Sequence, residues 1–375
     1  MGILVIPALG QFERITEIVH YLLDSEDPAL YEIGVGWAGG LQMEGAFEIL
    51  VPFLDDLRPR IQTTAAHALA RLADPRAIEP LLAHLSAAST YSGFRNALIG
   101  ALGTLRAEPA LPALFYLLTA GDPSTQSFAA RAIGKIGGVA LPQLLSMLKN
   151  ADERLKPSVL EALEQLNFHH GTATGIASDL LPDLASADPL VRAATATLLG
   201  QIGDQQALSA LVNALQDPQP AVRAAAATAL GQLKKTLQPL LGALHDESPD
   251  VRTAVADALG QLGDKRATKA LLPLLADHAS GNEGQRLPVG VAVALALGRL
   301  ADRRSVPTLL QATHDPDVDV RWATITALGW IGDPRALARL EAVIASEEGE
   351  EETWADESLA DAARQAIDQI SSKHA

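Results

Sequence analysis

Val222-Arg223-Ala224-Ala225-Ala226-Ala227-Thr228-Ala229-Leu230-Gly231 is a run of small side chains closed by a glycine, and variants of it return about every thirty residues along the chain. Counted from the alanine of each Ala-Leu-Gly or its equivalent, the anchors are Ala8, Ala38, Ala68, Ala101, Ala132, Ala162, Leu198, Ala229, Ala258, Ala296, Ala327 and Ala366. Most intervals are 29 to 33 residues, and three are stretched to 36, 38 and 39. A unit of this length holds two short helices that cannot bury an apolar face alone, so successive units must stack. The period predicts an all-α chain in which residues 1–375 form a single continuous array of about eleven helical hairpins.

Within one unit the apolar spacing is helical twice. Val191, Ala194, Leu198, Leu199 and Ile202 recur at helical intervals, Gly203-Asp204 interrupts, and Leu208, Leu211, Val212 and Leu215 resume the period. Asp204 is placed to cap the second helix, as are Asp74, Asp264, Asp302 and Asp333. Pro75 and Pro334 follow at the first helical position, where a missing N–H costs nothing. Between units, Asp27-Pro28, Asp122-Pro123, Asp188-Pro189, Asp217-Pro218 and Asp315-Pro316 stop one hairpin and start the next. The glycine that closes the first helix implies close approach of another helix, so its substitution should cost stability rather than activity.

Composition narrows the function classes. Hydrophobic residues make up 48% of the chain but aromatics only 4%, so Leu, Ala, Val and Ile must fill the core. The absence of cysteine excludes disulfides, thiolate metal sites and cysteine nucleophiles. No segment approaches 20 uncharged apolar residues without a helical break, and the apolar opening lacks a basic flank, so membrane insertion is not expected and a cytoplasmic protein is. The formal net charge is −16, and no Lys/Arg run exceeds a pair, which disfavours nucleic acid as a partner.

With these residues in view, Asp-Pro-x-x-x-Val-Arg-x-x-Ala-x-x-x-Leu-Gly-x-Ile/Leu-Gly-Asp resembles the HEAT repeat, in the short bacterial form of phycobilisome lyases (the PBS HEAT-like subtype). The likeness covers essentially the whole chain and is clearest from Val191 to Ile344; before Arg60, Ala38-Gly39-Gly40 stands in for the usual triplet. It implies a right-handed α-α superhelix whose second helices line the concave side. It also implies that Arg192, Arg223, Arg252 and Arg321 pair with acids such as Asp188, Asp217, Asp250 and Asp319 in a structural ladder, with Arg95 equivalent and Gln62 substituting for the arginine one unit earlier.

Transferring the second-helix register of Leu208, Leu211, Val212 and Leu215 along the chain places Tyr21, Ile49, Phe53, His84, Tyr116, Leu117 and Met147 at open positions of successive units, and these are the candidate partner-binding residues. Beyond Met147 the same positions become smaller, as at Gly242 and Ala243, so the stripe is polarised toward the N-terminal half. Insertions near 167–180, 276–288 and 345–357 are the other candidates, because loops added to a stacked array carry specificity. They contribute His169, His170 and Trp354, the last in an acidic tract beginning at Glu347. His169 and His170 are adjacent, so their side chains point apart, and no further ligand lies at metal-binding spacing: no metal site is expected.

Catalytic signatures are absent. There is no glycine-rich nucleotide loop, P-loop lysine, Gly-x-Ser-x-Gly elbow or His-Glu-x-x-His, and none of the nine histidines precedes a glutamate, as the di-iron HEAT-repeat hydroxylases require. No catalytic residue and no cofactor is expected. The function expected is a non-catalytic scaffold that holds another protein in its concave groove. The alternative from the resemblance is a phycobilin lyase subunit or pigment-protein chaperone, with a bilin as transferred ligand cradled near Tyr116, His84, Glu48 and Glu79.

Overall fold

A computed structural model describes residues 12–25, 27–41, 45–87, 91–152, 154–166, 176–281, 287–346, 353, 355 and 357–374. Among them every regular element is helical, and Ser280 and Pro288 form an isolated β-bridge. The chain divides into two compact units, residues 1–172 and 173–375. In the first, the helix Phe12–Leu23 precedes four pairs that begin at Pro28–Gly40, Pro59–Leu72, Ser92–Thr104 and Pro123–Ile136, and the helix Lys156–Glu164 follows. In the second, Ile176–Leu180 leads into pairs that begin at Pro189–Ile202, Pro220–Leu233, Pro249–Leu262, Val289–Leu300 and Val318–Ile331, and Leu359–Ser372 closes the stack. The connection expected over 167–180 ends at Ile176, where this helix starts. The fold is an all-α solenoid of helical hairpins in which first helices pack on first helices.

The caps follow the sequence closely. Asp74, Asp204, Asp264, Asp302 and Asp333 each accept a hydrogen bond from the backbone N–H two residues on and open a short 3₁₀ turn that leads into the second helix. Asp27, Asp122 and Asp188 cap first helices with proline next in line. Asp217 and Asp315 differ. Their helices begin at Pro220 and Val318, and each carboxylate instead accepts from the N–H two residues on, ahead of the helix.

At Asp217 the carboxylate is freed for another partner. Arg192 donates to it through two nitrogens, 2.7 and 2.8 Å away, and also donates to the carbonyl of Ser186 in its own preceding loop. Arg223 repeats the pattern with Asp246 and the carbonyl of Asp217, and Arg252 repeats it with Asp277 and the carbonyl of Asp246. Each arginine thus ties its own loop to the next one. The partner lies one loop further on than Asp188 or Asp250, because the fork extends away from its own helix start. The hydrogen bonds from Arg192 hold the Asp217 carboxyl below the usual carboxylate range. In the first unit Gln62 makes the neutral version, donating to the carbonyl of Leu54.

The closest packing is at the glycines. A Cβ placed on Gly231 would lie 2.7 Å from the Cα and 2.8 Å from the Cβ of Ala258, inside any real carbon–carbon contact. Gly103 meets Ala132, Gly200 meets Ala229 and Gly298 meets Ala327 in the same way. This contact also corrects the register of the first pair. Gly39, not Gly40, meets Ala68, so Trp37-Ala38-Gly39 is the equivalent triplet and Trp37 stands at the alanine position. Ala38 takes the place of the buried leucine and is itself fully buried.

Gly231→Ala is therefore expected to lower stability by about 1–3 kcal/mol through overpacking. Gly242→Ala, in a helix with open space at its Cα, is expected to be neutral or to stabilise by up to about 1 kcal/mol. Urea unfolding of the two variants checks the contrast. A second expectation concerns acid. Hydrogen bonds from Arg304 and Arg335 pull the carboxyls of Asp302 and Asp333 down to about 2, against an ordinary value of 3.8. Stability from these groups is present above the unfolded value and is lost as pH falls through the folded one. The melting temperature should thus drop between about pH 5 and pH 2, and Asp302→Asn with Asp333→Asn should make that drop shallower.

Candidate functional site

The second helices of the first unit are built on a repeated pair of leucines four residues apart: Leu50 and Leu54, Leu81 and Leu85, Leu114 and Leu118, Leu144 and Leu148. All eight are buried against the first helices. At 100° per residue, a side chain two positions after the first leucine points away from the core, and one three positions after it lies only about 60° off the buried direction. That rule sorts the candidate stripe into two rows. Tyr116, two after Leu114, is 68% exposed, and Tyr21, two after the buried Val19, is 73% exposed. Phe53, His84, Leu117 and Met147, each three after its leucine, are half-buried, as is Ile49 just ahead of Leu50.

The half-buried row is tied down locally. Phe53 meets the edge of the Tyr31 ring at 5.4 Å, and the Arg58 guanidinium lies 4.3 Å from the centre of that same ring. The two His84 ring nitrogens lie 2.7 Å from the Pro80 carbonyl and 3.0 Å from the Asp55 carboxylate, and its ring packs against Phe94. The structure does not gather the seven side chains into one cluster. It sets them along one side of successive second helices, with Tyr21 and Tyr116 standing clear and the other five forming the wall between them and the core. Glu48 and Glu79 are exposed on the same helices, and Glu48 pairs with Arg76 at 2.8 Å.

A second apolar surface was not nominated from the sequence. Leu30, Ile33 and Trp37 fall at helical spacing on the helix Pro28–Gly40, and all three are exposed. With the corrected register, Trp37 occupies the position at which Ala229 receives Gly200 and Ala258 receives Gly231. This is the side on which a preceding first helix packs elsewhere in the stack. The available signal was a tryptophan beside an alanine in the weakest copy of the triplet. Among the described residues, every exposed large hydrophobic side chain belongs to the first unit, from Ile18 to Val139, and the second unit has none.

His169, His170 and Trp354 lie outside the described residues. Among the described residues no group of three or more His, Asp or Glu is arranged to hold a metal ion, and no helix is long and apolar enough to cross a membrane.

The comparisons agree with the fold. The family model for HEAT repeats matches residues 15–92, 87–164, 177–236, 233–282 and 288–360. The chain belongs to the HEAT-repeat family. No curated protein matches it by sequence. Among solved structures it is similar to yeast importin-beta (Kap95p), with 12% identity and a TM-score of 0.57 over 97% of this chain and 60% of that one. Kap95p in a complex with Nup1 gives 14% identity, a TM-score of 0.55 and coverage of 97% and 57%. Kap95p from a study of its binding to RanGDP gives 13% identity, a TM-score of 0.53 and coverage of 98% and 57%. The chain spans a little over half the length of these proteins, and at such identities the likeness is one of fold.

Proposed function

We propose that this protein is a non-catalytic scaffold that holds a protein partner along the second-helix face of its first unit, in the groove from Tyr21 to Met147. The observation that carries the reading is the segregation of exposed apolar side chains into that unit, while among the described residues the longer second unit keeps its own covered. Exposed tyrosines on a rigid helical face suit a protein interface, because each offers a large contact area at little entropic cost and a hydroxyl that stays hydrogen-bonded at the rim. The half-buried wall of Phe53, His84, Leu117 and Met147 beneath them completes a surface that water covers poorly. Kap95p, of the same fold, is described in complexes with the proteins Nup1 and RanGDP, which supports protein binding as the use of such a stack. The thirty-residue unit and its Val-Arg start favour the short bacterial subtype within the family.

Tyr21→Ser combined with Tyr116→Ser removes the two standing side chains without touching a buried leucine. Affinity capture from the source cells should show a partner retained by the wild type and weakened about tenfold or more by the double variant, with helicity and melting temperature unchanged. Equal retention by both proteins rejects the reading. Coexpression with a phycobiliprotein subunit and a bilin should yield no covalent colour; a coloured adduct would replace the scaffold by a lyase.

A further inference from the structure

The second unit exposes a row of cations at its turns, where the first unit has the like pair of Arg76 and Asp74. Its turns from first to second helix carry Lys234 and Lys235, then Lys265 and Arg266, then Arg303 and Arg304, then Arg335. All seven side chains are exposed. The acids of the same turns are Asp264, Asp302 and Asp333, and the last two are only 7% exposed beneath their arginines. Seven cations over three carboxylates, two of them covered, leave this edge positive in a chain whose net charge is −16.

The turns are stitched into a row. Arg304 donates to the carbonyl of Lys265 in the preceding turn at 3.2 Å, and Arg335 donates to the carbonyl of Arg303 at 3.1 Å. Arg303 reaches the Asp333 carboxylate of the next turn at 3.9 Å. The row is closed at its far end by Lys373 and His374, which contact the carbonyls of Trp330 and Gly332. Each of Arg266, Arg304 and Arg335 is also held by its own capping aspartate, so its guanidinium is fixed while part of it faces water.

Ion pairs to the caps account for Arg266, Arg304 and Arg335, as for Arg76 over Asp74 in the first unit, but not for Lys234, Lys235 and Lys265. Arg266, Arg304 and Arg335 sit at the N-terminal start of a second helix, where the helix dipole disfavours a cation by a few tenths of a kcal/mol. The fourth connection of this kind, Asp204-Gln205-Gln206, shows that the turn forms with no cation at all.

We propose that this edge of the second unit, from Lys234 to Arg335, is a docking surface for an extended acidic segment of a partner protein. Successive helices pack about 8–10 Å apart, and a chain in the polyproline II conformation advances about 3.1 Å per residue with every third side chain on one face. The cationic turns therefore match carboxylates at every third residue, and four turns span about ten residues of peptide. Beyond the tyrosine face, this is a second contact on the other unit, and the two are separable by mutation. A nucleic acid is the less suitable polyanion, because the basic turns carry no aromatic side chain for base stacking.

The test uses the full chain and a fluorescein-labelled twelve-residue peptide with glutamate at every third position, read by anisotropy at low salt. Lys234→Ala, Lys235→Ala and Lys265→Ala are combined, because these side chains form no ion pair among the described residues and their removal leaves no buried acid unpaired. Expected are saturable binding that weakens about tenfold or more between 50 and 200 mM salt, as screening of several exposed ion pairs implies, and a further loss of about tenfold in the triple variant at unchanged helicity. Tyr21→Ser with Tyr116→Ser should leave this binding intact, so failure here and failure of the tyrosine face are distinguishable. No binding, full binding by the triple variant, equal binding of a peptide with its glutamates clustered at one end, or tighter binding of oligouridylate than of the peptide would each overturn the proposal.

Discussion

The approach of one first helix to the next, glycine against alanine, is the constraint on which the rest of each unit depends. At Gly231 and Ala258 the two backbones are so near that a single methyl group has no room. Such contact is short-ranged and steep, so it sets one axial register between neighbours and rejects others. Once first helices are in register, everything attached to them recurs in register as well. The leucine pairs of the second helices meet the same core at every step, the turns align along one edge, and the loops between hairpins align along the other.

Repetition of this kind turns single side chains into rows, and rows divide the labour. The leucine row stabilises. The Arg192, Arg223 and Arg252 row joins successive loops through carboxylates that are mostly covered, and removing one partner there would leave a buried charge unpaired. The row two residues beyond the leucines is free to vary, and in the first unit it carries Tyr21 and Tyr116. The turn row is also free to vary, and in the second unit it carries lysine and arginine. The two units thus share one packing scheme and differ in what their free rows expose, apolar groups in the first and a line of basic turns in the second.

Much of this is readable in the sequence. Helix starts at Asp27, Asp122 and Asp188 and the caps at Asp74 and Asp204 follow from local hydrogen bonding between a carboxylate and the N–H groups beside it, which depends on neighbours in sequence alone. The first pair was harder to read. Ala38-Gly39-Gly40 and Trp37-Ala38-Gly39 are both plausible triplets, and only the contact of Gly39 with Ala68 chooses between them. That one-residue shift turns Trp37 from an incidental outer residue into the side chain at the helix-packing position. The candidate stripe shows the same limit. A register copied from Leu208 treats Tyr116 and Leu117 alike, whereas burial separates them by the angular difference between two steps and three.

By itself, the sequence determined the repeat, the two helices within it, their caps, the close-packing glycine and the balance of charge, because each rests on a local pattern that recurs about a dozen times and is averaged over its errors. Tertiary structure decided which acid each arginine takes, which aromatic groups stand clear of the wall, and that lysines and arginines scattered over a hundred residues share one edge. These outcomes depend on which residues of adjacent hairpins meet, and adjacency across about thirty residues of chain is a property of packing that no local pattern contains.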